Sequence, residues 1–243
     1  NTTEKHSTTT AEKRSRKGQG QLFERARGMT IRRLFTEPGV DPLEAVETRK
    51  TGCKITNQDG SVVFEMNDAT VPKEWSQLAS DILISKYFRK AGVPGTGREQ
   101  SARQAVHRIA HAIRLSGEEQ GGYFASAEDA DAFEAELAFM LIHQIGAFNS
   151  PVWFNCGLAQ IYGITGRAVG NYCWNRETGR IELAPDAYTF PQLSACFIQS
   201  IKDDLMDIAS AVQREMRIFK FGSGTGTNYS AIRGEGEMLS SGG

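Results

Sequence analysis

Cys196 lies in the run SACFIQS, and further along the chain FKFGSGTGTNYS (219–230) sets Gly222, Gly224 and Gly226 on alternate positions. A thiol can act as nucleophile or reductant, and glycine lets a backbone take positive φ or come very close to a ligand. The glycine run has no Gly-Lys-Ser/Thr close of a Walker A loop and no Rossmann spacing, and it follows a helical pattern where both of those motifs precede one. Amides freed by glycine can form an anion-binding concavity. A helix C-cap followed by a bulge accounts for the same residues, so composition leaves both readings open. Cys196 falls in a β-favourable run predicted to be a buried strand, where cysteine ordinarily packs as an inert small hydrophobe.

Two other groupings have suggestive spacing. His107 and His111 stand at i, i+4, the separation of two metal ligands on one helix face. They are not part of H-E-x-x-H, and Arg103, Arg108 and Arg114 nearby repel a cation, so a solvated helix face with no metal is expected. In FNSPVWFN (148–155), Ser150 precedes Pro151 and is predicted to be extended. Its flanking Asn149 and Asn155 suit a buried connection whose amides satisfy loose backbone groups. A cysteine hydrolase would need a histidine beside Cys196, and all four histidines lie upstream of it, outside any such motif.

The elements that must hold these residues follow from periodicity. CKITNQDGSVVFEM reads as a hairpin turned at Asp59-Gly60. From Pro72, Trp75, Leu78, Ile82 and Tyr87 recur as one buried helical face, stopped by Gly92 and Pro94. A second helix is predicted over 98–115 with Ala102, Val106, Ile109 and Ile113 inward. A third starts behind Ser126, a capping-box-like Ser-x-x-Asp, and runs through Phe133, Leu137, Leu141 and Ile145. After the punctuated stretch from Gly146 onward, ACFIQSI reads as a strand entering a helix that Asp203-Asp204 can cap. Leu205, Ile208, Val212, Met216 and Phe219 mark that helix.

The chain has 243 residues, 40% hydrophobic and 23% charged, with a formal net charge of -1. That is enough for one large or two small domains with a real core, and nothing pushes the whole chain toward nucleic acid or a membrane. Residues 1–21 are nearly devoid of apolar side chains and are expected to be a disordered basic tail. No apolar run has the length of a bilayer span, and the start lacks the apolar centre of a secretory signal, so a cytoplasmic location is expected. The four cysteines are far apart without C-x-x-C spacing, which predicts free thiols in a reducing compartment. The absence of an initiating Met, and an end at MLSSGG, suggest a piece of a longer chain.

FNSPVWFN, PQLSACFIQSIKDDL and FKFGSGTGTNYSAIRGEGE, in that order, resemble the adenosylcobalamin-dependent (class II) ribonucleotide reductases. VPKEWSQLASDILISKYFRKAGVP and GYFASAEDADAFEAELAFMLIHQIGAFNSPVWFN resemble the N-terminal region of the same family. The likeness runs from about residue 45 to the end. It implies an α/β protein: a mainly helical region with a hairpin over 22–146, then the truncated start of a ten-stranded α/β barrel over 147–243. The implied chemistry replaces the ribose 2'-OH by hydrogen through a thiyl radical, with a dithiol supplying two electrons.

Residue by residue, the resemblance makes Cys196 one member of the redox pair, its partner coming from later sequence. Ser150, Ser194, Ala195 and Gly224 are the implied substrate contacts, with Gly222, Asn149 and Asn228 as weaker matches. The helix over about 204–219 is the implied dimer and specificity-site helix, and Asp203 before it and Arg233 beyond it match residues that hold the sugar and triphosphate of a deoxynucleoside triphosphate effector. On composition alone, helix capping and a surface ion pair are the preferred reading of Asp203 and Arg233. Adenosylcobalamin, a thioredoxin-like dithiol reductant and a homodimer partner are implied for the intact protein. Two alternatives are a class I reductase large subunit, and a fragment that binds effector and dimerises without chemistry. A half-barrel would also leave an unpaired sheet edge, an aggregation risk.

Overall fold

The computed structural model describes residues 28–238. The expected basic tail lies outside them. In chain order the elements are α1 (Pro42–Ala45), β1 (Thr48–Thr56), β2 (Val62–Pro72), α2 (Gln77–Ile82), α3 (Ala102–Gln120), α4 (Ala127–Ile142), α5 (Ser150–Asn155), α6 (Leu158–Tyr162), β3 (Tyr172–Asn175), β4 (Arg180–Leu183), β5 (Cys196–Ser200), α7 (Leu205–Lys220) and β6 (Gly224–Asn228). They form two antiparallel hairpins, β1-β2 and β3-β4, and one parallel pair, β5-β6, joined through α7.

The first hairpin turns where Asp59-Gly60 predicts. Gly60 takes φ 84°, and Asp59 accepts from the Ser61 amide at 2.9 Å. Helix α3 starts later than periodicity suggests because Ser101, in extended backbone, forms a full capping box with Gln104. Its inner face is the predicted one for Ala102, Val106 and Ile109, all fully buried, while Ile113 is half-buried. Ser126 caps α4 by accepting from the Asp129 amide at 3.1 Å. That helix ends at Ile142, so Ile145, assigned above to its inner face, lies past the end and is 53% exposed.

The helical face assigned from Pro72 needs correction. β2 runs to Pro72, Ser76 caps α2, and a π-helical turn over Leu83–Tyr87 follows at once. The inner face is made by Ser80, Leu83, Ile84 and Phe88, which are buried, while Leu78 and Ile82 of the assigned face are 70% and 42% exposed; the wider turn shifts the pattern only from Leu83 onward. The core joins β1-β2, α2, α3, α4 and α5, from Leu43 through Cys156. Deep in it, Arg108 and Glu99, both fully buried, pair at 2.8 Å. Arg108 also donates to the carbonyls of Trp153 and Cys156, and Tyr162 Oη donates to Glu99 at 2.9 Å. Burial, with the Glu99 carboxylate alongside, pushes the Tyr162 hydroxyl pKa up and keeps it a donor.

A strap over 31–36 lies across α4. Ile31 N donates to Asp129, while the amides of Phe35 and Thr36 and the Thr36 hydroxyl all donate to Glu136. Phe35 stacks on Phe139 at 5.2 Å. No described helix is long and apolar enough to cross a membrane.

Candidate active site

β5 and β6 run parallel with Cys196 opposite Gly224, Phe197 opposite Thr225, Ile198 opposite Gly226, Gln199 opposite Thr227 and Ser200 opposite Asn228. Side chains alternate across a strand, and partners in a parallel pair share a face. One face of this sheet therefore carries Phe197, Gln199, Thr225 and Thr227, and α7 lies over it. Arg214 Nε donates to Gln199 at 3.0 Å, Gln199 to Thr225 at 2.9 Å, and Thr227 to Glu215 at 2.6 Å. The opposite face carries Cys196 and Ile198 beside Gly224 and Gly226.

The alternating glycines thus follow the two-residue period of a strand. Threonines face α7, and glycines leave bare backbone beside the thiol. A Cβ at Gly224 would approach only the Ala195 carbonyl, at 3.7 Å, and one at Gly226 only Ile198 Cδ1, at 3.3 Å. The chain's own packing does not demand glycine at 224; the missing side chains keep clear space next to Cys196. Gly222 has a different task. At φ 77° just after α7, it makes the left-handed turn from helix into strand.

Cys196 is exposed, contrary to the buried strand predicted above, because its sheet has two strands and no described element lies over the glycine face. Ile198 on the same face is 85% exposed. All four cysteines are free. Cys53 and Cys156 are buried, and burial pushes both thiols up, away from the reactive thiolate. The Gly224 amide is not a free anion donor either: it donates to Ala195 O at 2.6 Å.

Two residues that periodicity does not flag fix the approach to Cys196. Ser223, buried, donates to Ser194 O at 2.7 Å and accepts from Gln192 Nε2 at 2.6 Å. Gln192 also donates to Ser194 O and accepts from the Ser194 amide. The small polar residues flanking SACF and GTGT were the available signal. Ser194, two residues before Cys196, is clamped through its backbone.

Ser150 is the first residue of α5, not extended; Asn149 takes the extended N-cap position instead, its Oδ1 accepting from Val152 N at 3.4 Å. Pro at the second helical position removes only an amide that has no partner in a first turn. The Ser150 hydroxyl meets Tyr87 Oη at 3.1 Å and makes no hydrogen bond to the Cys196 group. Asn155 ties α5 to that group by donating to Gln192 O at 3.0 Å. Asn228 spends its side chain on a turn, accepting from Ser230 N. Asp203 and Arg233 come together, Nε to Oδ2 at 2.9 Å. Asp204, not Asp203, caps α7, with Oδ1 accepting from Met206 and Asp207 amides.

Residues 194–243, which hold the thiol strand, α7 and the glycine strand, match the family described as ribonucleotide reductase, barrel domain. The class is that of the ribonucleotide reductases. Residues 49–144 match the family described as class II vitamin B12-dependent ribonucleotide reductase. Proteins named vitamin B12-dependent ribonucleotide reductase from Agrobacterium fabrum and Bradyrhizobium diazoefficiens are each 43% identical over 88% of this chain and 20% of their own length. One of the same name from Rhodopirellula baltica is 43% identical over 78% of this chain and 18% of its own. The chain belongs to the class II, vitamin B12-dependent ribonucleotide reductase family. It is a mixed helix and sheet structure that includes part of the reductase barrel domain, and it spans about a fifth of the length of these relatives.

Proposed function

We propose that this chain is the N-terminal portion of a class II reductase that converts ribonucleotides to 2'-deoxyribonucleotides, with Cys196 as one of its two reducing thiols. The observation that carries the proposal is the glycine face of β5-β6. It sets a thiol beside bare backbone at Gly224 and Gly226, with clearance that the fold itself does not require. In this reading the nucleotide occupies that clearance, against Gly224, Ala195 and the Ser194 hydroxyl, with Ser150 contributing from the start of α5. Cys196 and a second thiol from outside the described residues each give one electron and one proton. The ribose 2'-oxygen departs as water, and the two sulfurs join as a disulfide. Their Cα atoms must then come within ~4.4–6.8 Å.

The described residues do not form a corrinoid cradle at the thiol. Two clefts, about 600 and 1280 Å³, are lined by other residues and not by Cys196. We assign the corrinoid and the radical-bearing cysteine to residues outside 28–238. Adenosylcobalamin, when bound, supplies the radical that starts turnover. Further barrel strands, ten in all, would cover the open face of β5-β6 and exclude water from the reacting thiol.

The domain division follows the same reading, with a helical region over 22–146 and the barrel from 147. Asp203 and Arg233 would open their ion pair to receive the sugar and triphosphate of a deoxynucleotide effector, Arg233 matching phosphate with its planar donors. The exposed apolar stripe of α7 (Leu205, Val212, Met216 and Phe219) suits a homodimer contact. A thioredoxin-like dithiol would re-reduce the pair in the cytoplasm.

The test is deoxynucleotide formation by the full-length protein with a dithiol, with and without adenosylcobalamin, beside Cys196→Ser. We expect turnover that needs the corrinoid and is lost in the variant. Corrinoid-independent turnover would point to a class I large subunit, effector binding without turnover to a regulatory module, and a fully active variant would remove Cys196 from the chemistry.

A further inference from the structure

The i, i+4 histidines of α3 gain a third partner from α4. Glu134 lies close enough that one ligand atom from each of His107, His111 and Glu134 falls within 4.8 Å of the other two. The imidazoles are stacked, centroids 5.1 Å apart and 16° from parallel, and His111 Nδ1 meets Glu134 Oε1 at 2.9 Å. We propose that His107, His111 and Glu134 bind a divalent first-row transition ion of the Zn(II) type, separate from the thiol site and the corrinoid.

The arginines that argue against a cation in sequence are all engaged. Arg103 pairs with Glu44, and Arg108 is buried against Glu99. Arg114 contacts Glu118, Asp131 and Glu134. The adjoining cleft, about 600 Å³, carries Glu128, Asp131 and Glu134 against Arg33 and Arg114, so its formal balance favours a cation. Arg114 holds Oε2 of Glu134 at 3.0 Å while His111 Nδ1 lies 2.9 Å from Oε1 and 3.0 Å from Oε2, so Arg114 is an outer partner that orients a ligand carboxylate.

Geometry permits the ion with small movements. Bonds of ~2.0–2.1 Å in a tetrahedral site separate ligand atoms by about 3.4 Å, so the widest gap closes by little more than about 1 Å of side-chain rotation. The ion takes the place of the proton that His111 and Glu134 share. Two imidazoles and one carboxylate suit Zn(II), Co(II), Ni(II) or Cu(II) and not Mg(II) or Ca(II). The remaining position opens to the exposed side of His107, where water can complete the set. Such an ion would clamp α3 to α4.

The test uses the chelator-stripped, corrinoid-free full-length protein, titrated with Co(II) and followed by visible absorption. We expect one ion bound with the weak bands of nitrogen and oxygen ligation, binding weakened at least about tenfold in His107→Ala and in His111→Ala. His107→Ala is the clean variant, because this exposed side chain contacts its neighbour His111 and forms no salt bridge or hydrogen bond. No saturable binding, an intense thiolate charge-transfer band in place of those bands, or a His107→Ala protein that binds as tightly as the parent would each overturn the site.

Discussion

The helical body and the β5-α7-β6 unit are built on opposite terms. In the first, residues 43–156 close around a continuous core in which even a guanidinium, Arg108, has no solvent contact. In the second, Ile201, Ala211 and Ser223 are the only buried residues among those described, and Ile198, Val212, Met216 and Phe219 face outward. The difference teaches where function sits. A body with its own core carries a unit whose thiol face and helix face are both left open among the described residues; under the proposed function a nucleotide would cover the first and a second copy of the chain the other.

That contrast can be broken most severely at Arg108. Arg108→Met removes the counter-charge of the buried Glu99 carboxylate, which keeps its bonds from Tyr162 and the Arg89 amide, and takes a donor from two carbonyls, and it should cost ~3–5 kcal/mol in denaturant unfolding. A loss under about 1 kcal/mol would mean that the body is less tightly closed than Arg108's full burial implies. Ile109→Ala, in the same core, should cost ~2–5 kcal/mol. Ile198→Ala on the open sheet face should change stability by less than about 0.5 kcal/mol. Equal losses at the two isoleucines would erase the distinction.

Function sharpens the comparison in the other direction. Gly224→Ala meets nothing nearer than 3.7 Å and has no positive φ to strain, so folding should be nearly unchanged. Turnover should nonetheless fall by as much as ~10²-fold, because a methyl group displaces the nucleotide from the thiol. A fully active Gly224→Ala protein would show that the clearance is not used.

The mildest effect expected is acid release of the strap over 31–36. Burial would raise the Glu136 pKa, but bonds from Thr36 and from the backbone of Phe35, Leu34 and Thr36 outweigh it and hold the carboxyl below its ordinary value of 4.5. A depressed folded pKa gives stability that is fully present above the unfolded value and lost as pH falls through the folded one. Hydrogen exchange at the Phe35 and Thr36 amides should therefore rise selectively below pH 4.5. In Glu136→Gln this pH dependence should be absent.

Local chemistry was readable where one residue decides the outcome. Asp59-Gly60, the Ser126 cap and the inner face of α3 follow from turn geometry, a hydroxyl and a period of 3.6. Leu78 and Ile145 lie off the inner face because a helix start at Ser76 and a helix end at Ile142 fix which side chains face inward, and apolar spacing encodes neither boundary. The hairpin β3-β4 went unread: Trp174 and Ile181 are 57% and 71% exposed, so burial imprinted no clean alternation. At the candidate site, Cys196 and the glycines stand out as residue types, whereas Asp203 and Arg233 stand out only through the family resemblance. The common face of Cys196 and the glycines does not, since it depends on a parallel register between segments separated by α7. Ser223 and Gln192 act through backbone contacts that leave no spacing signature.

The most direct measurement is a single turnover without external reductant. Fully reduced full-length protein is mixed with ribonucleotide and adenosylcobalamin, quenched, alkylated and mapped by mass spectrometry. The account predicts that deoxynucleotide appears together with a disulfide joining Cys196 to a cysteine other than Cys53, Cys156 and Cys173, while those three remain alkylatable. Product formed with Cys196 still carrying the alkyl label would contradict it.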